Sequence, residues 1–195
     1  MNNIQKIIIF SFVGIVFGSC NKHDITGYVP AVNDINNRTA LEYAYECENE
    51  LGPLPRFSCS DAIEVPTTKN GVPVSFPQGE EGSGSTNPND CDHPWAFGMA
   101  CQTGNKIGRY AGLNLDGSEN SDVVFITFCR DGGLGVIGYK YSTGQTCFFS
   151  IKDGYNPNNP PKPGENGYNN AWMSPRVVAD DKCMNCHMAS PFLHT

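Results

Sequence analysis

No apolar run in this chain reaches the roughly 20 residues that a membrane-spanning helix needs. The longest, Ile7 to Phe17, is interrupted by Ser11 and Gly14 and gives way to the polar stretch Asn21-Lys22-His23-Asp24, which argues against a permanent span. Clustered lysine and arginine are also missing. With 13 basic against 20 acidic residues and a formal net charge of -7, the chain would repel phosphate backbones, so no nucleic-acid partner is expected. There is no internal repeat, no Ser/His/Asp arrangement, no phosphate-binding glycine loop and no carboxylate pair placed for hydrolysis. Long helical periods are scarce because 21 Gly and 14 Pro interrupt them, which leaves a globular chain rich in turns.

What is present begins with export. Lys6 followed by the apolar run has the form of a signal peptide. Phe17-Gly18-Ser19-Cys20 sets small residues at the two positions before a cysteine, where cleavage is expected, and resembles a bacterial lipobox. That resemblance implies removal of residues 1–19 and lipidation of Cys20. A lipid anchor would then hold the protein to a membrane of the bacterial cell envelope, facing the periplasm or the cell surface. An ordinary cleaved signal with a chance cysteine is the plainer alternative. Residues 20–33 are polar and read as a tether, and residues 34–195 as a single domain.

Within that domain, Asp34 to Leu51 carries apolar residues at helical spacings, with Asp34 or Asn37 as candidate N-caps and Gly52-Pro53 as the stop. Ile63 to Val65 and Val72 to Ser75 are short extended candidates around the Asn70-Gly71 turn signal. Residues 77–94 read as a polar loop. Four runs, Ile107 to Leu115, Val123 to Arg130, Leu134 to Tyr141 and Thr146 to Ile151, are apolar or alternating and divided by glycine-rich turns, the pattern of an antiparallel meander. Asp153 to Pro175 is irregular and proline-rich, and Arg176 to Met188 reads as a short helix. The expected fold class is α+β, mainly β.

Cys183-Met184-Asn185-Cys186-His187 is a C-x-x-C-H sequence, the pattern of c-type haem attachment. Two cysteines three apart face one way on a helical turn, so both sulfurs reach one porphyrin edge while the next imidazole reaches the iron. Three rivals compete: a thioredoxin-like pair, which would need a βαβ unit around it; a zinc site, which would need a fourth ligand; and a simple Cys183–Cys186 disulfide. The motif resembles that of c-type cytochromes, and the resemblance implies covalent haem c on Cys183 and Cys186 with His187 as proximal iron ligand. Small cytochromes c carry the motif early in an all-helical domain, whereas here only eight residues follow His187. A sheet followed by a C-terminal motif is more similar to the cytochrome P460 and β-sheet cytochrome c′ group, a likeness of architecture rather than of matched residues.

Of the nine cysteines, Cys20, Cys183 and Cys186 are then accounted for. Cys47, Cys59, Cys91, Cys101, Cys129 and Cys147 remain, an even number that in an exported protein points to three disulfides. Sequential pairing, 47 with 59, 91 with 101 and 129 with 147, closes the shortest loops.

The sixth position on the iron separates the function classes, because His or Met there makes an electron carrier and an open position makes a ligand-binding or catalytic site. Met173 is the first candidate, as a loop methionine beside Trp172, an aromatic suited to covering haem; His93 is the second, near Cys91. Met99, His23 and His194 are further candidates, while Met184 and Met188 lie too close to the motif. Asp116, Ser118, Asn120 and Asp122 partly match a calcium loop but lack its Gly and Glu, so a solvated hairpin loop is the expectation. Asp180-Asp181, beside the motif, could face a cationic redox partner. The expected function is electron transfer at the cell envelope by a mono-haem cytochrome, with a redox protein or a small-molecule electron donor or acceptor as partner. The alternatives are a haem enzyme or small-ligand binder with an open distal site, and an envelope binding module whose haem is structural.

Overall fold

A computed structural model describes residues 37–76, 84–94, 101–130 and 132–180. The signal segment, Cys20, His23, Met99, the C-x-x-C-H motif and His194 lie outside the described residues. No helix among the described residues is long and apolar enough to cross a membrane.

Helix α1 covers Ala40–Leu51 and starts later than its apolar spacing predicts. Thr39, not Asp34 or Asn37, is the N-cap. Its hydroxyl accepts from the Glu42 amide, and the Glu42 carboxylate accepts from the Thr39 amide at 2.8 Å, a reciprocal capping box. Gly52 ends the helix at φ 81°, and a Cβ there would sit 2.4 Å from the Leu113 carbonyl oxygen, so only glycine fits.

The body is a five-stranded antiparallel sheet in the order β1-β6-β7-β8-β9: β1 is Ile63–Glu64, β6 Lys106–Leu113, β7 Glu119–Arg130, β8 Gly133–Lys140 and β9 Thr146–Ser150. The long strands are the meander that the alternating runs predict. Two small hairpins complete the β structure, β2 (Thr68–Lys69) with β3 (Val72–Pro73) and β4 (Gly84–Ser85) with β5 (Cys101–Gln102). The Asn70-Gly71 turn joins β2 to β3, not Ile63–Val65 to Val72–Ser75. Ile63 pairs instead with Ile107, because β1 completes the edge of the main sheet. The fold is mainly β with a few helices, as expected.

One face of the sheet holds the main core. Val123, Phe125, Leu134, Val136 and Phe149 point to it and meet Ala44, Cys47 and Leu51 of α1 together with Leu54, Phe57 and Trp172. Gly138 lets α1 approach: an ideal Cβ there would stand 2.5 Å from the Phe125 ring and 2.9 Å from Leu51. The proline-rich segment covers the rest, with the Trp172 indole donating to the Pro161 carbonyl at 2.9 Å.

The disulfides join Cys47 to Cys147, Cys59 to Cys129 and Cys91 to Cys101. Only the last agrees with sequential pairing. Cys47 sits on the face of α1 that lies against the sheet and so meets β9, while Cys59, following the helix, meets the end of β7. Short-loop economy ignores this docking. The two long bridges span 100 and 70 residues and tie the helix and its exit to the meander, each contributing about 4–5 kcal/mol on a chain-entropy basis if taken alone.

Candidate functional site

Side chains alternate along each strand, so the residues between those of the main core form a second face. The register defines its rows. Ile107 lies opposite Phe128, Phe128 opposite Gly135, and Gly135 opposite Ser150. The row beside it runs Arg109, Ile126, Ile137, Phe148. Arg130 follows Phe128 on the same face of β7 and lies opposite Gly133.

Trp172 and Met173 extend this pattern past β9. An isolated antiparallel bridge joins Ile151 to Trp172, and the Met173 amide donates to the Ser150 carbonyl at 2.9 Å. The two residues therefore alternate like strand residues: Trp172 enters the main core and Met173 the second face, where it packs with Phe128 against Ile137, Phe148 and Val178. Sequence reading treats Met173 as a loop methionine and Trp172 as its neighbour over a ring. The structure instead pins Met173 to the sheet edge and turns the indole to the opposite side.

Val178 belongs to helix α3, Pro175–Asp180, which follows the single-turn helix α2, Tyr168–Ala171, and is the described part of the helix expected from Arg176 onward. It seats α3 on the second face, so the chain leaves the described residues at Asp180 beside this apolar cluster. Cys183 follows three residues later. Extended chain spans at most about 11 Å in three residues, so the C-x-x-C-H motif starts within that reach of the end of α3.

In the row between Phe128 and Met173, the floor is low. Gly135 has no side chain and Ser150 a small one, and among the described residues the only atom within 4 Å of an ideal Cβ on Gly135 is the Phe149 carbonyl oxygen at 4.0 Å. The contrast with Gly138 on the same strand is plain. Phe128 and Met173 stand three strand spacings apart, about 14 Å.

No protein-family model matches this chain, and no curated protein or solved structure matches it significantly.

The other candidates separate from this patch. His93 is exposed and follows Asp92, which is bound to the β2–β3 turn; that hairpin lies by the β1–β6 edge, across the sheet from Met173. Asp92 accepts from the Gly71 amide, the Thr68 hydroxyl and the Asn70 amide, and these bonds hold its carboxyl below the usual range. Asp116 accepts from the Ser118 amide and hydroxyl through its Oδ1, and Asp122 accepts from Ser142, the bonding of a solvated hairpin loop. Asp180 accepts from Arg176 at 3.2 Å, one turn back along α3. No group of three or more His, Cys, Asp or Glu that could hold a metal ion occurs among the described residues. A shallow depression of about 430 Å³ lies at the other end of the segment after β9, lined by Gly132, Asp153, Gly154, Tyr155, Asn156 and Pro157, of which Asp153 alone carries a carboxylate.

The second face is what sequence reading missed. The signal was in β7, where Val123-Val124-Phe125-Ile126 is apolar at consecutive positions, a run that buries both faces of a strand.

Proposed function

We propose that the protein is an exported, lipid-anchored mono-haem c-type cytochrome that carries single electrons at the bacterial cell envelope. The observation that carries this reading is the position of Cys183-Met184-Asn185-Cys186-His187, three residues beyond a helix that is seated on an apolar sheet face beside Met173. A bound haem needs such a surface, since its macrocycle is apolar and its iron potential depends on burial and on the axial ligands. The disulfide-linked body supports the oxidising compartment that export implies.

In this reading Cys183 and Cys186 would hold the haem through thioether bonds. His187 would offer an imidazole nitrogen to its iron. Met173 would offer a thioether, favoured over His93 by its place in the α3 patch. The cofactor supplies the Fe(II)/Fe(III) couple. The chain excludes water with Ile137, Phe148 and Val178, and it keeps the methionine in register through the Ser150 hydrogen bond.

The test is an optical spectrum of protein made in a periplasm equipped for haem attachment, oxidised and then dithionite-reduced, with and without carbon monoxide. Sharp reduced bands unmoved by carbon monoxide are expected. In the Met173→Leu variant the reduced spectrum should become sensitive to carbon monoxide. A wild-type spectrum already shifted by carbon monoxide would replace the electron carrier with an open-site haem protein. Replacing Cys183 and Cys186 with Ala should abolish haem staining after denaturing electrophoresis; retained staining would sink covalent attachment.

A further inference from the structure

We infer that the depression at the start of the segment after β9 is a binding site for a neutral saccharide. This inference stands apart from the haem reading, since none of its residues belongs to the apolar cluster around Met173.

Chain order puts the two walls of the depression on neighbouring strands. Gly132 lies in the connection from β7 to β8, and Asp153, Gly154, Tyr155, Asn156 and Pro157 follow the end of β9. β8 and β9 are paired, and the Ile151 amide donates to the Leu134 carbonyl at 2.9 Å, so the turn and the loop emerge side by side. The walls are also tied to one another. The Pro157 carbonyl accepts from the Cys59 amide at 3.0 Å, Cys59 is bonded to Cys129, and Cys129 stands three residues before Gly132. The Asn158 carbonyl accepts from the Ser58 hydroxyl at 2.8 Å, a second tie to the same segment. A loop held in this way has little freedom left to lose when a ligand arrives, and that ordering cost is what weakens a polar site on a loose loop.

The surface so built has polar groups to spare. The Tyr155 amide donates to the Lys152 carbonyl, and Asn156 Oδ1 accepts from the Asn158 amide at 3.0 Å. Among the described residues nothing bonds to the Asp153 carboxylate, the Tyr155 hydroxyl or Asn156 Nδ2. Gly132 and Gly154 hold positive φ, 72° and 81°, and no described atom lies within 4 Å of an ideal Cβ on either, so a ligand can come down onto the backbone at both.

These groups select the class of ligand. A carboxylate accepts from two hydroxyls, a carboxamide NH₂ donates to hydroxyl or ring oxygens, and a tyrosine that is 41% exposed offers a flat apolar face with a polar tip. A pyranose has the matching parts, a hydroxyl edge and an apolar C–H face. An anion would meet Asp153 with no lysine or arginine in the lining, on a chain of net charge -7. An apolar ligand would find only Tyr155 and Pro157 to lie against. The volume of about 430 Å³ falls within the range of small-molecule sites, roughly 300–1,000 Å³. Asp153 is the acceptor that orients the sugar, and Tyr155 is the platform beneath it.

The experiment is saturation-transfer NMR on the full chain with neutral trisaccharides of glucose, mannose, galactose and N-acetylglucosamine, each titrated to about 10 mM, where millimolar sites still register. At least one should bind, with an affinity that salt does not change, because the ligand is uncharged. Asp153→Ala and Tyr155→Ala should each weaken that binding about tenfold, since each removes a contact to the ligand and none to the fold. Circular dichroism checks that both variants keep the sheet. Should either fail to fold, Asp153→Asn decides, because it keeps the side chain's shape and removes its charge. No binding by any of the four sugars, or binding that survives both substitutions, would overturn the site. Butylammonium chloride binding more tightly than every sugar, and more weakly as salt rises, would overturn the saccharide in favour of a cation. Haem staining of the same samples keeps the two readings separate, since a chain without haem that binds sugar through Asp153 upholds this site alone.

Discussion

The two faces of the sheet are built from the same four strands and do different work. The main face is closed: Phe125 is fully buried, Cys47–Cys147 and Cys59–Cys129 bolt α1 and the segment after it to the strands, and Gly138 has no room for a methyl group. On the second face no described atom comes closer than 4.0 Å to an ideal Cβ at Gly135, and Ile107, Ile126, Phe128 and Met173 are half-buried. The first face is the tighter of the two, and the larger share of the stability resides there.

Truncating one phenylalanine on each face should break that comparison most sharply. Phe125→Ala removes a side chain in contact with Phe57 at 5.5 Å between ring centroids and with the helix behind it, and should cost about 3–5 kcal/mol. Phe128→Ala, three residues away on the opposite face, should cost roughly 1–2 kcal/mol, because its ring is only half-buried. Thermal or denaturant unfolding of both variants checks this. Equal losses would mean that both faces are structural core.

The glycines of β8 give a finer version. Gly138→Ala forces the Phe125 ring or Leu51 aside and should destabilise by about 1–3 kcal/mol. Gly135→Ala meets no closer neighbour among the described residues than an oxygen at 4.0 Å, and by limiting the unfolded chain it should leave stability unchanged or raise it by up to about 1 kcal/mol. The pair differs only in which way the new methyl points. A destabilising Gly135→Ala would show that protein already fills the space over Gly135.

The meander was legible because alternation in four consecutive runs has one simple solution, and glycine turns fixed where each strand stops. The helix boundary was not, since apolar spacing continues upstream of Thr39 while the capping box needs Glu42 three residues on. Disulfide pairing failed for a related reason: Cys47 to Cys59 is a short loop in sequence, but the docked helix points Cys47 at β9. The haem-attachment expectation came from the spacing of Cys183, Cys186 and His187, which needs no fold and lies outside the described residues. Its surroundings were not, because the opposite facings of Trp172 and Met173 depend on a single bridge to Ile151 that no local pattern announces.

The smallest expected effect lies outside both faces. Asp92 holds the β2–β3 turn through the Gly71 amide, the Thr68 hydroxyl and the Asn70 amide, and these bonds depress its pKa below the ordinary 3.8. A depressed carboxylate contributes stability that is present above the ordinary value and lost as pH falls through the lowered one. Acid should therefore loosen the hairpin only in the region below pH 3.8, and Asp92→Asn should carry the same loosening to neutral pH. Hydrogen exchange at the Asn70 and Gly71 amides is the measurement. Faster exchange at those two amides in Asp92→Asn, with Phe125 and Phe128 environments unchanged, would show that the hairpin is coupled to neither face. A change that spread to the second face would instead make Asp92, and with it His93, part of the same cooperative unit as that face.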